Sequence, residues 1–497
     1  MTTFTEAARD EASTVLTENG AKAFDTTKNP CLDFYSVVGS LREADQDRIT
    51  LLFQEAYDKD PLTSMRTVFY ARDIRGGLGE RNTFRVLIRY IAEHMPESLI
   101  PNLSLIGEYG RWDDVYSLVG TPIEDKMWKV VKSVLDTDVK NMAEGKSVSL
   151  LAKWLKTADA SSRNTRKIGI YTAQKLGMDV RSYKRTLKAL RKYLKITERD
   201  MSANEWYKIN YETVPSRAMM LYTNAFNRHD YARFSDYSEA VANGKKKVNS
   251  GTLYPYDIVG KYLGESWFEK PEISKEQEKM LENQWNSLPD YVKPGNNILV
   301  IADVSGSMYG RPLCSSIGLA IYFAEKNTGP YHDLAMEFSG DSKYIKLKGR
   351  TLKEKIANLE KSEWGGSTNL EGALQRILDT AIQNHIPQKD LPEALIIISD
   401  MEINACTNDG FFINEMERKY AEAGYTLPAI VFWNVNSRHD IYHVDGNHPG
   451  VQLVSGQSAS AFKMVLDCME MTPTEAMMKV INSERYQPVT VCLPKEA

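Results

Sequence analysis

Cysteine is scarce in this chain. Its 497 residues include five cysteines (Cys31, Cys314, Cys406, Cys468 and Cys492), odd in number, widely scattered and without a CxxC pair. That argues against a zinc ribbon or a dithiol redox pair. The seven histidines are spread out, and His439 and His443 are the one close pair. An i, i+4 pair binds zinc on a helix, but Asp440, Gly446 and Pro449 mark a loop here, and surface polarity is the plainer reading. No stretch approaches the ~20 apolar residues of a membrane span. The start, MTTFTEAARDEASTVL, lacks a basic n-region and an apolar run, so the expectation is a soluble, cytoplasmic protein with no membrane partner. Two catalytic signatures are also missing. There is no Gly-x-x-x-x-Gly-Lys-Ser/Thr, so Gly76-Gly77-Leu78-Gly79 is not a nucleotide-binding loop, and no Gly-x-Ser-x-Gly elbow.

What is present is ordinary in bulk: 42% hydrophobic and 26% charged residues, in a chain long enough for about three domains. The net charge of −4 hides an asymmetry. Leu151 to Ser250 holds 21 Lys+Arg against 9 Asp+Glu, a balance of +12, while the remainder holds 41 against 57, or −16. A basic segment in an acidic protein points to a polyanionic partner, although a solvated helix face carries the same charges.

The first part reads as successive amphipathic helices. Ile49, Leu52, Phe53 and Ala56 share one face, and Asp60-Pro61 caps a helix that buries Leu62, Met65 and Phe69. Phe84, Leu87, Ile88 and Ile91 follow the glycines, and Thr121-Pro122 opens a helix with Met127, Val130, Val131, Val134 and Leu135 inward. Tyr183, Leu187, Leu190 and Leu194 form a stripe flanked by cations. No long alternating strand pattern precedes residue 296, and no strict repeat period occurs, so an α-solenoid or irregular helical array is expected. After Pro294 short apolar runs alternate with helical stretches. Strands are expected at 298–302, 334–338, 394–399 and 427–433, helices at 313–326, 352–359, 370–383 and 411–423. That order means a parallel sheet covered on both faces.

Ligands of such sheets gather beyond the carboxyl ends of the strands. Asp303 ends the first strand, Ser305 and Ser307 lie in the following loop, Asp400 ends the 394–399 strand, and Thr368 sits in the loop 364–369 before a helix. Oxygen donors with few carboxylates suit Mg²⁺, with Mn²⁺ or Ca²⁺ as substitutes. Glu402, two residues past Asp400, would face the same side in an extended segment and tune the ion; a solvated carboxylate is the plainer reading. Ser305 has no foreseeable His partner, so nucleophilic catalysis is not expected.

The set Asp303-Val304-Ser305-Gly306-Ser307, Thr368 and Asp400 resembles the metal-ion-dependent adhesion site of von Willebrand factor A domains. That resemblance implies direct or water-mediated contact of the serines and of one or both acidic groups with the ion, completed by an acidic group of a protein partner. The stretch from Val68 to Arg81, VFYARDIRGGLGER, is similar to a signature of the TROVE module, the helical-repeat ring of the Ro autoantigen and its bacterial relatives. Tyr109 to Asp114, YGRWDD, resembles a second shared stretch. The resemblance is closer still to a group of the same architecture catalogued as a domain of unknown function, and Lys153-Trp154-Leu155 with the basic segment through Tyr193 belongs to it.

The resemblance implies an α + α/β protein. Residues 1–290 would form a TROVE-like, HEAT-like helical-repeat domain, and 291–497 a doubly wound von Willebrand factor A-like domain. It also implies binding of small structured RNAs or single-stranded RNA ends. Lys153, Arg163, Arg166, Lys167, Lys184, Arg185, Lys188, Arg191, Lys192 and Lys195 are then candidate phosphate contacts. Tyr171, Tyr183 and Tyr193 are candidates for base stacking, Tyr183 fitting the buried stripe better. The expected function is a non-catalytic RNA-binding ribonucleoprotein scaffold with a Mg²⁺-dependent adhesion site for a protein. The alternative is a metal-dependent protein–protein adaptor without RNA, and a nuclease or other hydrolase ranks third.

Overall fold

Ile298–Ala302 and Ala394–Ser399 are apolar up to the terminal Ser399 because both faces of each strand are covered, and every residue of both is buried. In this computed structural model, residues 4, 8, 11–264, 270–292, 295, 297–338, 340, 342–360, 367–461 and 466–492 are described. Two compact units form. The first comprises Met1–Ser64, Gly76–Leu78 and Ser250–Ser483; the second comprises Met65–Arg75, Gly79–Asn249 and Glu484–Ala497. A single cut near residue 290 is therefore not how the chain divides: Met1–Ser64 and Ser250–Ser483 cluster with the sheet.

The first unit is built on a sheet of six strands among the described residues: β3 (Ile298–Ala302), β4 (Leu334–Glu337), β5 (Lys343–Lys346), β6 (Ala394–Ser399), β7 (Ala429–Asn434) and β8 (Val451–Ser455). Their order is β5-β4-β3-β6-β7-β8, parallel except for β5, which pairs antiparallel with β4. The chain leaves β3 toward β4 and leaves β6 toward β7, so the switch point of the sheet lies between β3 and β6. β5 and β8 escaped the sequence reading. β5, KYIK, is a short edge strand whose terminal lysines are exposed, and such charges discourage pairing with another chain.

The helix Arg311–Lys326 is apolar nearly all round, and Pro312 through Ala324 are buried. Gly318 lets the segment around Pro255 approach: a Cβ there would lie 3.0 Å from the Pro255 carbonyl carbon. The N-terminal part is not wholly helical. A hairpin of β1 (Thr14–Leu16) and β2 (Lys22–Phe24) turns at Thr17–Gly20, with Gly20 at φ +86°. Its far strand continues into the loops beyond β6 and β7, through Lys22–Phe411 and Phe24–Tyr442 bridges and a stacked Phe24–Phe411 pair.

The second unit is a helical array that includes Asn82–His94, Glu124–Ala143, Arg163–Lys175, Val180–Tyr193, Ser216–His229 and Tyr231–Ala242. The stripe expected at Tyr183, Leu187 and Leu190 is buried, as are Met127, Val131 and Leu135. Val130 and Val134 sit at the flank of their helix, where Trp128 is buried instead and donates to Glu124 at 2.9 Å.

The two stretches that resemble the TROVE signature meet each other here. Arg72 donates to Asp114 at 2.7 Å with both side chains buried, and Arg85 donates to the other Asp114 oxygen at 2.7 Å. The Ile74 N–H donates to the Tyr109 carbonyl at 2.9 Å. At Gly110 a Cβ would lie 2.7 Å from Arg72 Nε and Asp114 Oδ2, so glycine admits the ion pair. These residues hold the array together through a satisfied buried pair, which gives their pattern a structural reason.

Candidate metal centre and nucleic-acid interface

Register sets the candidate centre. Ala302 pairs with Ile398, so the next positions, Asp303 and Ser399, are neighbours at the switch point. The Asp303 N–H donates to the Ile398 carbonyl at 2.9 Å, and Ser399 Oγ donates to Asp303 Oδ2 at 2.6 Å. Asp303 Oδ1 accepts from the Ser305 N–H at 2.9 Å, which folds the loop back over the strand end. The Ser305 and Ser307 hydroxyls stand 3.1 Å apart. Asp303 and Ser305 are buried, while Ser307 is exposed.

Asp400 is buried as well. Its Oδ1 accepts from the Glu402 N–H at 3.2 Å and its Oδ2 from Arg438 Nη2 at 3.0 Å. Met401 between them takes a left-handed φ of +71°, a conformation that costs a non-glycine residue about 1 kcal/mol or more. It is held by its N–H to Ser399 Oγ at 3.0 Å and by its carbonyl, 2.9 Å from His443 Nε2. Because this segment is not extended, Glu402 is not a solvated carboxylate. It is buried, 2.7 Å from His439 Nδ1 and 2.7 Å from the Glu18 N–H. Thr368 joins through the same segment: its hydroxyl donates to the Glu402 carbonyl at 2.8 Å and accepts from Asn19 Nδ2 at 2.9 Å. Residues 364–366 of its loop lie outside the described residues.

Burial, with the Asp400 carboxylate beside it, pushes the Asp303 carboxyl up to about 6. Among the described residues Arg438 pairs with Asp400, and Asp303 has no cation at contact distance. An all-oxygen donor set with one carboxylate left without a cation fits a hard divalent cation. Among the described residues no three His, Cys, Asp or Glu side chains gather at metal-binding spacing, so hydroxyls have to complete this set. The close histidines part company. His439 pairs with Glu402, whereas His443 is buried with its imidazole pushed down to about 4 by burial, so surface polarity does not describe it.

Glu18, Asn19 and Arg438 were not foreseen. Arg438 bridges Glu18 Oε2 at 2.7 Å and Asp400 Oδ2 at 3.0 Å. No spacing rule joins residues this far apart, but Asn19-Gly20 between short apolar runs is a hairpin signal.

In the second unit, Arg163–Lys175 and Val180–Tyr193 are joined by a short connection and pack together. Such a hairpin runs antiparallel, so the start of the first helix lies beside the end of the second. Arg163, Arg166, Lys167, Lys188, Lys192 and Lys195 collect there, all exposed and, among the described residues, none in an ion pair at contact distance. The other candidates differ. Arg191 donates to the Ala152 and Leu155 carbonyls at 2.8 Å each, and Lys184 pairs with Asp159 at 3.1 Å. Arg185 is exposed beside Ser182, and Lys153 lies against the Trp154 ring. Tyr183 is buried and donates to the Lys156 carbonyl, Tyr171 donates to Glu124, and Tyr193 keeps an exposed ring.

A family model described as Domain of unknown function (DUF2828) matches residues 17–167 and 147–296. Another, described as Domain of unknown function (DUF7788), matches residues 297–492. The Uncharacterized protein L728 of Acanthamoeba polyphaga mimivirus is 29% identical over 524 residues, covering 97% of this chain and 89% of that protein. Among solved structures, the Deinococcus radiodurans Ro (RSR) protein aligns at 17% identity with a TM-score of 0.47, covering 87% of this chain and 93% of that chain. No helix among the described residues is long and apolar enough to cross a membrane.

Proposed function

The chain belongs to the family described as Domain of unknown function (DUF2828), and on that premise we propose that it is a non-catalytic RNA-binding scaffold whose sheet unit holds a divalent cation for capture of an acidic group on a protein partner. The observation that carries the RNA reading is the gathering of Arg163, Arg166, Lys167, Lys188, Lys192 and Lys195 at one end of a helical hairpin, exposed and without contact acids among the described residues. Cations already neutralised by carboxylates gain little from phosphates; these are available to release counterions from a nucleic acid. The likeness of the Val68–Arg81 and Tyr109–Asp114 stretches to the TROVE signature supports the same reading. Arg191 and Lys184 are left with structural roles, and Tyr193 is the one ring of the three suited to stacking.

In the sheet unit, Mg²⁺ would be held by Asp303, Ser305, Ser307, Thr368 and Asp400, with Mn²⁺ or Ca²⁺ as substitutes. Bound there, it would offer a Lewis-acidic point to a carboxylate. The Ser305 hydroxyl contacts that of Ser307 and has no nucleophilic role. The second reading, a cation-dependent protein adaptor without RNA, is favoured by the buried Asp303–Asp400 pair taken alone.

Binding of a labelled small structured RNA tests the proposal. Glu at Arg166, Lys167, Lys188 and Lys192 together should lower affinity at low salt by at least tenfold. It should also reduce the slope of log K against log salt by about 3. Unchanged affinity and slope would refute the RNA reading and leave the adaptor. Cleavage of that RNA, dependent on Mg²⁺ and lost in Asp303→Ala, would overturn the non-catalytic assignment.

A further inference from the structure

The Arg438 guanidinium occupies a position that a divalent cation would contest. It lies against Asp400, whose side chain is fully buried, and its Nε is buried with no hydrogen-bond partner among the described residues, so its hold depends on Nη1 and Nη2. Nη2 contacts Asp400 at 3.0 Å, and Nη1 contacts Glu18 at 2.7 Å. The Glu18 carboxylate is delivered by a turn that is anchored independently of it. Thr17 Oγ1 donates to the Ile403 carbonyl at 2.7 Å, the Glu18 N–H to Glu402 at 2.7 Å, and the Ala405 N–H to the Asn19 carbonyl at 3.2 Å. Asn19 adds its contact to Thr368. The hairpin turn is therefore part of the rim, and its one free-standing charge faces Arg438.

We propose that Arg438 is the internal counter-cation of this centre, displaced from Asp400 by a divalent ion, and that Glu18 is the positioning residue that takes Arg438 up. A guanidinium and a divalent cation repel each other across one carboxylate, so binding of the ion requires Arg438 to withdraw. Withdrawal into water would cost the ion pair without replacement. Withdrawal onto Glu18, which is less buried than Asp400 and already 2.7 Å away, keeps the guanidinium paired. Glu18 thus sets how strongly Arg438 competes. His439, beside Glu18 at 3.8 Å and Glu402 at 2.7 Å, adds positive charge to the same corner only when protonated.

The inference rests on the cation reading above, and a mutant cycle on the full-length protein separates the two. Mn²⁺ affinity would be measured by calorimetry at pH 7.5 in wild type, Asp303→Ala, Arg438→Gln, Glu18→Gln and the Arg438→Gln/Glu18→Gln double variant. Arg438→Gln should bind Mn²⁺ roughly tenfold more tightly and Glu18→Gln several-fold more weakly. The double variant should match Arg438→Gln, because Glu18 acts through Arg438. Arg438→Lys, which keeps the charge at a single donor, should fall between wild type and Arg438→Gln. A merely structural role for Arg438 predicts weaker binding in both of its variants, and that outcome overturns the proposal. Equal affinities in wild type and the Glu18 and Arg438 variants, with loss in Asp303→Ala, also overturn it while leaving the cation site in place. No Mn²⁺ binding by any of these proteins, Arg438→Gln included, overturns the cation site itself.

Discussion

Ser399 Oγ donates to Asp303 Oδ2 at 2.6 Å across the β3–β6 pair and at the same time accepts the Met401 N–H at 3.0 Å. One hydroxyl therefore orients the first carboxylate of the candidate centre and shapes the turn that carries the second. Ser399→Ala removes one buried hydrogen bond from each. It should weaken Mn²⁺ binding about tenfold, the equivalent of ~1.4 kcal/mol, while leaving RNA affinity unchanged. Titration calorimetry checks this, and unchanged Mn²⁺ affinity would show that Asp303 needs no such support.

Asp73 is fully buried and accepts from Arg485 Nε at 2.6 Å, Arg485 Nη2 at 2.8 Å and Tyr486 Oη at 3.1 Å. Arg485→Ala would leave a buried carboxylate without its cation, at a cost of about 3 kcal/mol. Urea denaturation of the helical unit should show a clear loss of midpoint. Truncation after Ser483 should do at least as much, and an unmoved midpoint in both would contradict the contact.

The pH dependence of stability follows from His443. Burial lowers its folded value to about 4 against 6.5 for the free imidazole. Between those values the unfolded chain binds more protons than the folded one, so stability is complete above 6.5 and is lost as pH falls toward 4. Asp33 and Asp303, raised to about 6 by burial, act in the opposite sense between 3.8 and 6, but they are common to wild type and variant and cancel in a comparison. His443→Gln should lose less stability than wild type as pH falls from 6.5 to 4, by about 3 kcal/mol at the limit. Urea midpoints at pH 7 and pH 4.5 measure the difference, and parallel curves would contradict it.

These positions also mark where sequence reasoning succeeds and stops. Apolar runs fixed at strand length made β3 and β6 legible, and 3–4 spacing located the stripe through Tyr183, Leu187 and Leu190. The places of Asp303, Ser305, Ser307 and Asp400 just past the ends of β3 and β6 were readable because they follow directly on strands whose order is simple. Glu18 and Arg438 were not, since their meeting depends on a hairpin near one end docking beside loops near the other. Glu402 was misjudged because an αL residue at Met401 cannot be seen in a run of apolar and acidic letters. β5 and β8 were missed for a simpler reason: Lys343–Lys346 is too short and polar, and Val451–Ser455 interrupts its apolar pattern with Gln452.

Cations in the basic segment should separate by role. Arg191→Ala removes bonds to the Ala152 and Leu155 carbonyls and should lower stability by about 1–2 kcal/mol. Lys188→Ala and Lys192→Ala, both exposed, should leave stability within ~0.5 kcal/mol and weaken RNA binding. Thermal melts read beside RNA titrations distinguish the two. Equal melting losses for all three would remove the distinction.

Nucleic acid retained by the protein at low salt is the most direct test of the scaffold proposal. Wild type purified at low ionic strength should carry RNA that high salt releases, and the variant with Glu at Arg166, Lys167, Lys188 and Lys192 should emerge without it. Wild type that carries none, and that fails to bind added small RNAs at the same salt, would contradict the RNA reading and leave the cation-dependent adaptor.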